Sequence, residues 1–283
     1  MVENRPGLHL FSHAVMWLGM LVIAAPLYLA FVASTHQPQD IVQVPMPLLP
    51  GTNAWETYRD ALLGTSQASS SNAPVWRMLW VSTVMALLIS VGKIVIALLS
   101  AFAVVYFRFP LRKLCFWAIF ITLMLPVEVR IMPTYQVMSD LGLLNTYTGL
   151  TLPLMASATA TFLFRQFFLT VPDELLEAAR MDGAGPMRFF FDILLPLSRT
   201  SMAALFVIQF IYGWNQYLWP LLVATSEDMY PVAVGITALK GSGESVAHWN
   251  VVMATALLAM LPPALVVVLM QKWFVKGLVD TEK

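Results

Sequence analysis

Long apolar runs separated by short polar connections set the pattern of this chain. A transmembrane helix needs about 20 consecutive, mostly apolar residues. Stretches of that kind predict six spans, at about 12–33, 78–105, 114–133, 148–169, 198–223 and 251–275. Several of them contain proline, which membrane bundles tolerate when neighbouring groups satisfy the freed backbone. The pattern predicts an all-α membrane protein with six transmembrane helices in a single domain over 1–283.

Composition supports a lipid environment. The chain is 59% hydrophobic and only 11% charged, with a mean hydropathy of +0.73. A soluble domain carries about a quarter charged residues, so this much apolar surface is better matched to lipid than to water. The first apolar run, from about Phe11 to Ala33, is longer than the 7–15 residues of a signal-peptide core. We therefore predict that it is a retained first helix.

The distribution of basic residues predicts the orientation. Sixteen basic and sixteen acidic residues give no net charge, and so no basic field for nucleic acid. With a cytoplasmic N-terminus, the Lys and Arg residues outside are Arg59, Arg77, Arg130 and Lys240. Apart from Lys93, within the second span, the rest fall on the cytoplasmic side. The positive-inside rule predicts that both termini and the polar loop 170–197 are cytoplasmic.

This loop between the fourth and fifth spans has the signals of two short helices. Thr170, with Asp173 three residues on, predicts a capping box at the start of the first helix. Gly183 predicts its end, at a position that needs a positive φ. Pro186 is suited to open the second helix. The loop is therefore expected to be a rigid helix–turn–helix element rather than a flexible connection.

The first helix of the loop carries small residues, Ala178 and Ala179, on an apolar stripe. Small side chains allow another protein surface to approach closely. The alternative is an amphipathic helix lying on lipid, but such helices usually have a cationic face. Residues 165–199 hold four basic and five acidic side chains, and this mixture favours docking into a protein groove.

The spacing Glu-Ala-Ala, three residues, Gly, nine residues, Ile, any residue, Leu-Pro resembles the signature loop of binding-protein-dependent ABC importer permeases. The matching residues are Glu177, Ala178, Ala179, Gly183, Ile193, Leu195 and Pro196. The resemblance implies the type I importer permease fold, in a bacterial inner membrane. It also implies that loop 170–197 contains a coupling helix, which sits in a cleft of an ATPase subunit.

The same resemblance implies the partners of this chain. They are a second, homologous permease subunit that completes a heterodimer, two copies of an ABC ATPase subunit, and a periplasmic substrate-binding protein, all working in membrane lipid. ATP and Mg²⁺ would be used by the ATPase. In agreement, the chain has no Gly-four residues-Gly-Lys-Ser/Thr loop for phosphate. We expect no cofactor on this chain and no enzymatic activity of its own.

A closer resemblance concerns the cargo. The segment 214–222 is similar to the carbohydrate-importer branch of the family. Nearly the whole chain, including 3–6, 120–130, 151–168 and 277–280, resembles permease subunits of bacterial sn-glycerol-3-phosphate importers. This implies transport of sn-glycerol 3-phosphate or its diesters. One alternative is a neutral sugar or oligosaccharide such as maltose. A more remote one is a secondary transporter that needs no ATPase, which leaves the signature loop unexplained.

Two cations in the predicted spans are candidates for the substrate pathway. Lys93 lies near the middle of the second span, and Arg130 lies toward the outer end of the third. A charge deep in a span costs about 2.5–3.5 kcal/mol on insertion scales, so each needs an explanation. A phosphate ester requires such groups along its path. The alternatives are that Arg130 extends to the outer interface, and that Lys93 pairs with a carboxylate of a neighbouring helix or of the second permease.

The sequence predicts no catalytic or metal site. His9, His13, His36 and His248 are scattered over the ends and loops without metal-ligand spacing. Cys115 is the single cysteine and lies in an apolar run, so it forms no internal disulfide and is most simply a packing residue.

Overall fold

The computed structural model describes residues 6–64, 73–121, 127–239 and 248–279, and within them every regular element is a helix. The α-helices are α1 (Pro6–Ser34), α2 (Pro38–Ile41), α3 (Ala54–Leu63), α4 (Val75–Tyr106), α5 (Arg112–Ile121), α6 (Val127–Asp140), α7 (Tyr147–Thr151), α8 (Ala158–Leu169), α9 (Asp173–Met181), α10 (Pro186–Phe189), α11 (Leu195–Leu197), α12 (Arg199–Trp214), α13 (Leu218–Val223), α14 (Val232–Leu239) and α15 (Trp249–Val279). Two 3₁₀ turns, Leu152–Leu154 and Glu227–Met229, and a π-helical turn, Phe190–Leu194, complete the described elements. The prediction of an all-α protein is confirmed.

Among the described residues, three helices are long and apolar enough to cross a membrane: His9–Ser34 within α1, Val75–Tyr106, and Trp249–Trp273 within α15. Two bent helix pairs would each add a span. The described residues thus give three to five candidate spans, and the count of six is not confirmed. The third predicted span, 114–133, includes residues 122–126, which lie outside the described part of the chain.

The fourth predicted span, 148–169, is not one straight helix. Tyr147–Leu154 and Ala158–Thr170 meet at an angle of 51°. Pro153 lies in the 3₁₀ turn that ends the first half. Ser157 begins the second half, because its hydroxyl accepts a hydrogen bond from the Ala160 amide at 3.3 Å. The polar cap and the proline override the apolar pattern, which alone predicts a continuous helix.

The fifth predicted span, 198–223, is also interrupted. Its first helix ends at Trp214, and α13 begins only at Leu218. Pro220 is the physical reason, because a proline removes a backbone donor and is best tolerated in the first turn of a helix. It occupies the third position of α13. By contrast, Pro26 and the pair Pro262-Pro263 lie inside continuous helices.

The described residues fall into two compact units. One consists of the described parts of Met1–Arg77 and Gly235–Leu261. Thr35 organises its connection after α1, because the Thr35 carbonyl accepts from the Asn53 amide at 3.0 Å and the Thr35 hydroxyl accepts from the Gly51 amide at 2.8 Å. The Asn250 side chain donates to the Thr57 hydroxyl at 3.2 Å, which joins the start of α15 to α3.

The other unit contains the described parts of Met78–Val234 and Pro262–Lys283. The first half of α4 packs with α7 and α13 around Met85 and Ile89. Its second half packs with α8 and with the loop that follows α8, around Phe102 and Phe164. Gly213 allows α12 to lie directly against α4, because a Cβ there would be 3.0 Å from the Ala86 Cα. Helix α4 is thus the common support of both apolar clusters.

Candidate coupling loop and buried lysine

The loop that carries the signature begins where α8 ends. Thr170 belongs to that end, since its hydroxyl donates to the Phe167 carbonyl at 2.7 Å. Pro172 stands immediately before α9, and no side chain caps that helix. The predicted capping box is therefore wrong, because the hydroxyl of Thr170 is used at the C-terminus of the preceding helix.

Helix α9 ends in the way the glycine predicts. Gly183 has φ +73°. Its amide donates to the Arg180 carbonyl at 3.0 Å, and the Ala184 amide donates to the Ala179 carbonyl at 2.9 Å. This pair of bonds is the Schellman arrangement, which satisfies the last carbonyls of a helix. A Cβ on Gly183 would meet no other atom within 4 Å, so the requirement for glycine here is one of backbone angle.

The second part of the loop starts at Pro186, as predicted. It then passes through the π-helical turn Phe190–Leu194, which the sequence did not indicate. After Leu195–Leu197 the chain bends by 71° into α12. Ser198 lies at the bend, fully buried, and its hydroxyl donates to the Leu194 carbonyl at 2.7 Å.

The signature residues divide into an outward and an inward set. Glu177, Ala178, Gly183 and Pro196 are exposed. Ala179 is buried, with 6% of its surface exposed, and Ile193 and Leu195 are partly buried against the same apolar cluster. The glutamate makes no ion pair with another described residue. The inward residues of the signature therefore pack the loop against the rest of this chain, and the outward residues form an exposed surface that a partner can contact.

Aromatic rings hold the loop in place, and sequence reasoning did not find them. We call Phe102, Tyr106, Phe168, Phe189 and Phe190 the aromatic anchor. Ring centroids lie 4.9 Å apart for Phe102 and Phe190, and 5.3 Å apart for Tyr106 and Phe189. The Tyr106 hydroxyl also donates to the Phe168 carbonyl at 3.3 Å. Two adjacent phenylalanines just before the loop and three within it were the available signal.

Lys93 lies in the middle of α4, and its exposed fraction is 5%. Its Nζ donates to the Gln209 Oε1 at 3.0 Å and stands 3.5 Å from the centroid of the Tyr212 ring. Both partners come from α12 and both are neutral. Among the described residues no carboxylate pairs with Lys93. The cation is held by a hydrogen bond and a ring face, but its charge is not neutralised.

Arg130, the other predicted pathway residue, is exposed on α6. Its carbonyl accepts from the Thr134 hydroxyl at 2.7 Å, which is a local helix contact. The guanidinium makes no ion pair with a described residue.

The described residues contain no group of three His, Cys, Asp or Glu side chains placed to hold a metal ion. Cys115 is exposed on α5. The prediction that it is a packing residue within this chain is therefore wrong.

Comparison with known families decides the assignment. The profile described as "Binding-protein-dependent transport system inner membrane component" matches residues 93–280, two thirds of the chain and all of the signature loop. The chain belongs to this family. It is therefore a non-catalytic permease subunit of an ABC importer, and the predicted resemblance is confirmed. Membership implies an inner-membrane location, a binding protein and an ATPase as partners, and nucleotide use by that ATPase.

Full-length relatives agree with the family. The sn-glycerol-3-phosphate transport system permease protein UgpE of Pectobacterium atrosepticum is 60% identical over 283 residues, covering 100% of both chains. The proteins of the same name from Escherichia coli and Yersinia enterocolitica are 58% identical with the same coverage. The crystal structure of a bacterial ABC transporter involved in the import of the acidic polysaccharide alginate contains a similar chain, with a TM-score of 0.77. At 21% identity, covering 97% of this chain and 99% of that one, this similarity shows the fold: the ABC importer permease fold.

Proposed function

We propose that this subunit translocates sn-glycerol 3-phosphate, or its diesters, across the inner membrane. The observation that carries the proposal is the 58–60% identity, over the full length, with permeases named for sn-glycerol-3-phosphate transport. In this proposal residues 1–283 form one permease domain that crosses the membrane six times. A second, homologous permease completes the pore, and a periplasmic binding protein delivers the substrate.

The signature loop is the proposed contact with one of the two ATPase copies, which bind ATP and Mg²⁺; the second permease would contact the other copy. Glu177 and Ala178 offer an exposed acidic and small surface on α9. Ala179 and the aromatic anchor join the same helix to α4 and α8. Because the inner side of α9 is packed, a push on its outer side would move the supporting helices with it. This arrangement requires loop 170–197, and hence both termini, to be cytoplasmic.

Lys93 is the proposed contact for the phosphate group. A buried cation whose only described partners are an amide oxygen and a ring face has capacity for an anion. Tyr212, whose ring face contacts the Lys93 Nζ, is itself 39% exposed. Arg130, exposed on α6, is the second proposed cation of the substrate pathway. The competing role for Lys93 is an ion pair with a carboxylate of the second permease, and the competing role for Arg130 is extension to the membrane interface.

The test is uptake of labelled sn-glycerol 3-phosphate by vesicles that contain this chain, the second permease, the ATPase and the binding protein. We expect uptake that requires both ATP and this chain, and that excess unlabelled maltose does not reduce. The matched control is the same vesicle without this chain.

Two other outcomes would contradict the proposal at different points. Transport of maltose without transport of sn-glycerol 3-phosphate would keep the importer and replace its cargo by a neutral sugar. Uptake that continues without ATP would contradict the coupling mechanism itself.

A further inference from the structure

A pocket of about 550 Å³ lies where the end of α4 meets the start of α5 and the last turns of α8. Its lining combines two kinds of side chain. Three are cationic: Arg112, Lys113 and Arg165. The others are apolar and include the rings of Phe116 and Trp117. Neither the signature loop nor the buried lysine uses this pocket.

The three cations have no anionic partner among the described residues. Arg165 is held by a ring, because its guanidinium carbon lies 4.4 Å from the centroid of Phe116. With described residues Arg112 makes only long hydrogen bonds, at 3.4 and 3.5 Å, to the carbonyls of Phe107 and Val105. The guanidinium groups are thus positioned but keep donors for an acceptor such as a phosphate oxygen.

The pocket lies at the expected level of a membrane surface. The apolar span of α4 ends at Tyr106, and the pocket is lined by the two residues of α4 numbered 104 and 105. Trp117 and Leu169 on its rim are 56% and 54% exposed. Tryptophan is enriched at membrane interfaces, where its ring sits at the headgroup level. A ligand here would therefore meet both cationic side chains and apolar side chains that lipid can reach.

We propose that this pocket binds the phosphate group of an anionic phospholipid, with its acyl chains along Phe116 and Trp117. Basic pockets between transmembrane helices are a recurrent form of anionic headgroup site. A free phosphate shares the headgroup chemistry but leaves the apolar wall uncovered, so the lipid matches more of the lining. Phe168 of the aromatic anchor is the neighbour of Leu169, so the lipid would sit against the base of the signature loop.

The experiment is native mass spectrometry of the assembled transporter in neutral detergent, titrated with phosphatidylglycerol or with phosphatidylcholine. It contains no cargo, so its result is independent of the proposed substrate. We expect the triple variant Arg112→Gln, Lys113→Gln, Arg165→Gln to bind phosphatidylglycerol about tenfold or more weakly than the unchanged protein. Phosphatidylcholine binding should not change. The matched control is Lys272→Gln, which removes an exposed cation of α15 that does not line the pocket.

A second variant guards against loss of folding. Lys113 is exposed, so Lys113→Gln alone leaves the stacked arginine in place and should still weaken phosphatidylglycerol binding. Equal phosphatidylglycerol affinity in the unchanged protein, the triple variant and Lys113→Gln would overturn the proposal. So would displacement of the lipid by equimolar inorganic phosphate, which would assign the pocket to a soluble anion.

Discussion

Gly183 shows how one residue fixes the geometry of the coupling loop. Its positive φ closes α9 with the Schellman bonds and turns the chain toward Pro186. Nearby, Gly185 has φ −73° and an open surrounding, so it makes no comparable demand. The two glycines lie two positions apart in the same loop and differ mainly in backbone angle.

Gly183→Ala should therefore destabilise the loop, because a non-glycine residue in the left-handed region costs about 1–2 kcal/mol. Gly185→Ala is the control and should be close to neutral, since alanine accepts its backbone angles. The measurement is thermal unfolding of the assembled transporter, with ATP-driven uptake in parallel. Equal behaviour of the two variants would contradict the role assigned to the φ of Gly183.

The buried Lys93 makes a second prediction at this scale. Lys93→Met keeps about the length of the aliphatic side chain but removes the ammonium group. The phosphate ester should therefore lose its proposed contact with Nζ. We expect uptake of sn-glycerol 3-phosphate to fall about tenfold or more, as for the loss of a charge-assisted hydrogen bond of about 1.5–3 kcal/mol. Assembly with the ATPase should be unchanged.

The control for this prediction is Lys272→Met, an equivalent change of an exposed lysine. Lys93→Arg restores a cation and should recover part of the uptake. If Lys93→Met transports normally, the lysine has a structural role and is not a substrate contact. Arg130→Met in the same assay separates a pathway role of Arg130 from extension to the interface, because only the pathway role lowers uptake.

At the scale of elements, α9 is a helix with two different faces. Ala178 is exposed and Ala179 is packed against the aromatic anchor. Both alanines belong to the signature, but the spacing alone does not say which one meets a partner. The structure distinguishes them, because Ala178 lies on the exposed face of α9 and Ala179 lies on its packed face.

This separation predicts different results for the same substitution at neighbouring residues. Ala178→Leu should leave the stability of the two-permease membrane part unchanged and weaken its binding to the ATPase. Ala179→Leu should destabilise the chain itself by about 1–3 kcal/mol, the usual cost of overpacking a core. Copurification of the ATPase and thermal unfolding of the permease pair are the two measurements. Indistinguishable variants would contradict the division of the signature.

The elements also show how far the sequence could lead. Apolar length predicted the long helices α1, α4 and α15, and Gly183 and Pro186 predicted the turn of the loop. The breaks in the fourth and fifth predicted spans escaped that pattern, because Ser157 and Pro220 act locally within otherwise apolar runs.

The site was predicted only in part, for a related reason. The signature spacing located the loop, and the charge located Lys93. Periodicity did not reveal that Gln209 and Tyr212 contact Lys93, since those contacts join residues at least 116 positions apart in the sequence. The burial of Ala179 likewise depends on aromatic residues of α4 and α8, which meet it only in the folded chain.

At the scale of the whole molecule, the coupling loop, the aromatic anchor and α4 form a continuous structural connection from the proposed ATPase contact to the proposed substrate contact. The outward face of α9 is the proposed receiver, the aromatic anchor joins it to α4, and α4 carries Lys93. One continuous helix therefore connects the loop support with the proposed phosphate contact. Rigid connection of this kind is what a transporter needs to convert nucleotide-driven movement into a change at the substrate site.

The most direct test of this account places a photo-crosslinking residue, p-benzoylphenylalanine, at Glu177 in the assembled transporter. Glu56 is the matched control, an exposed glutamate on α3, in the other compact unit. We predict a crosslink from position 177 to the ATPase subunit, and none from position 56, which the proposed orientation puts on the periplasmic side. A crosslink to the ATPase from position 56, or its absence from position 177, would contradict the assignment of α9 as the coupling helix.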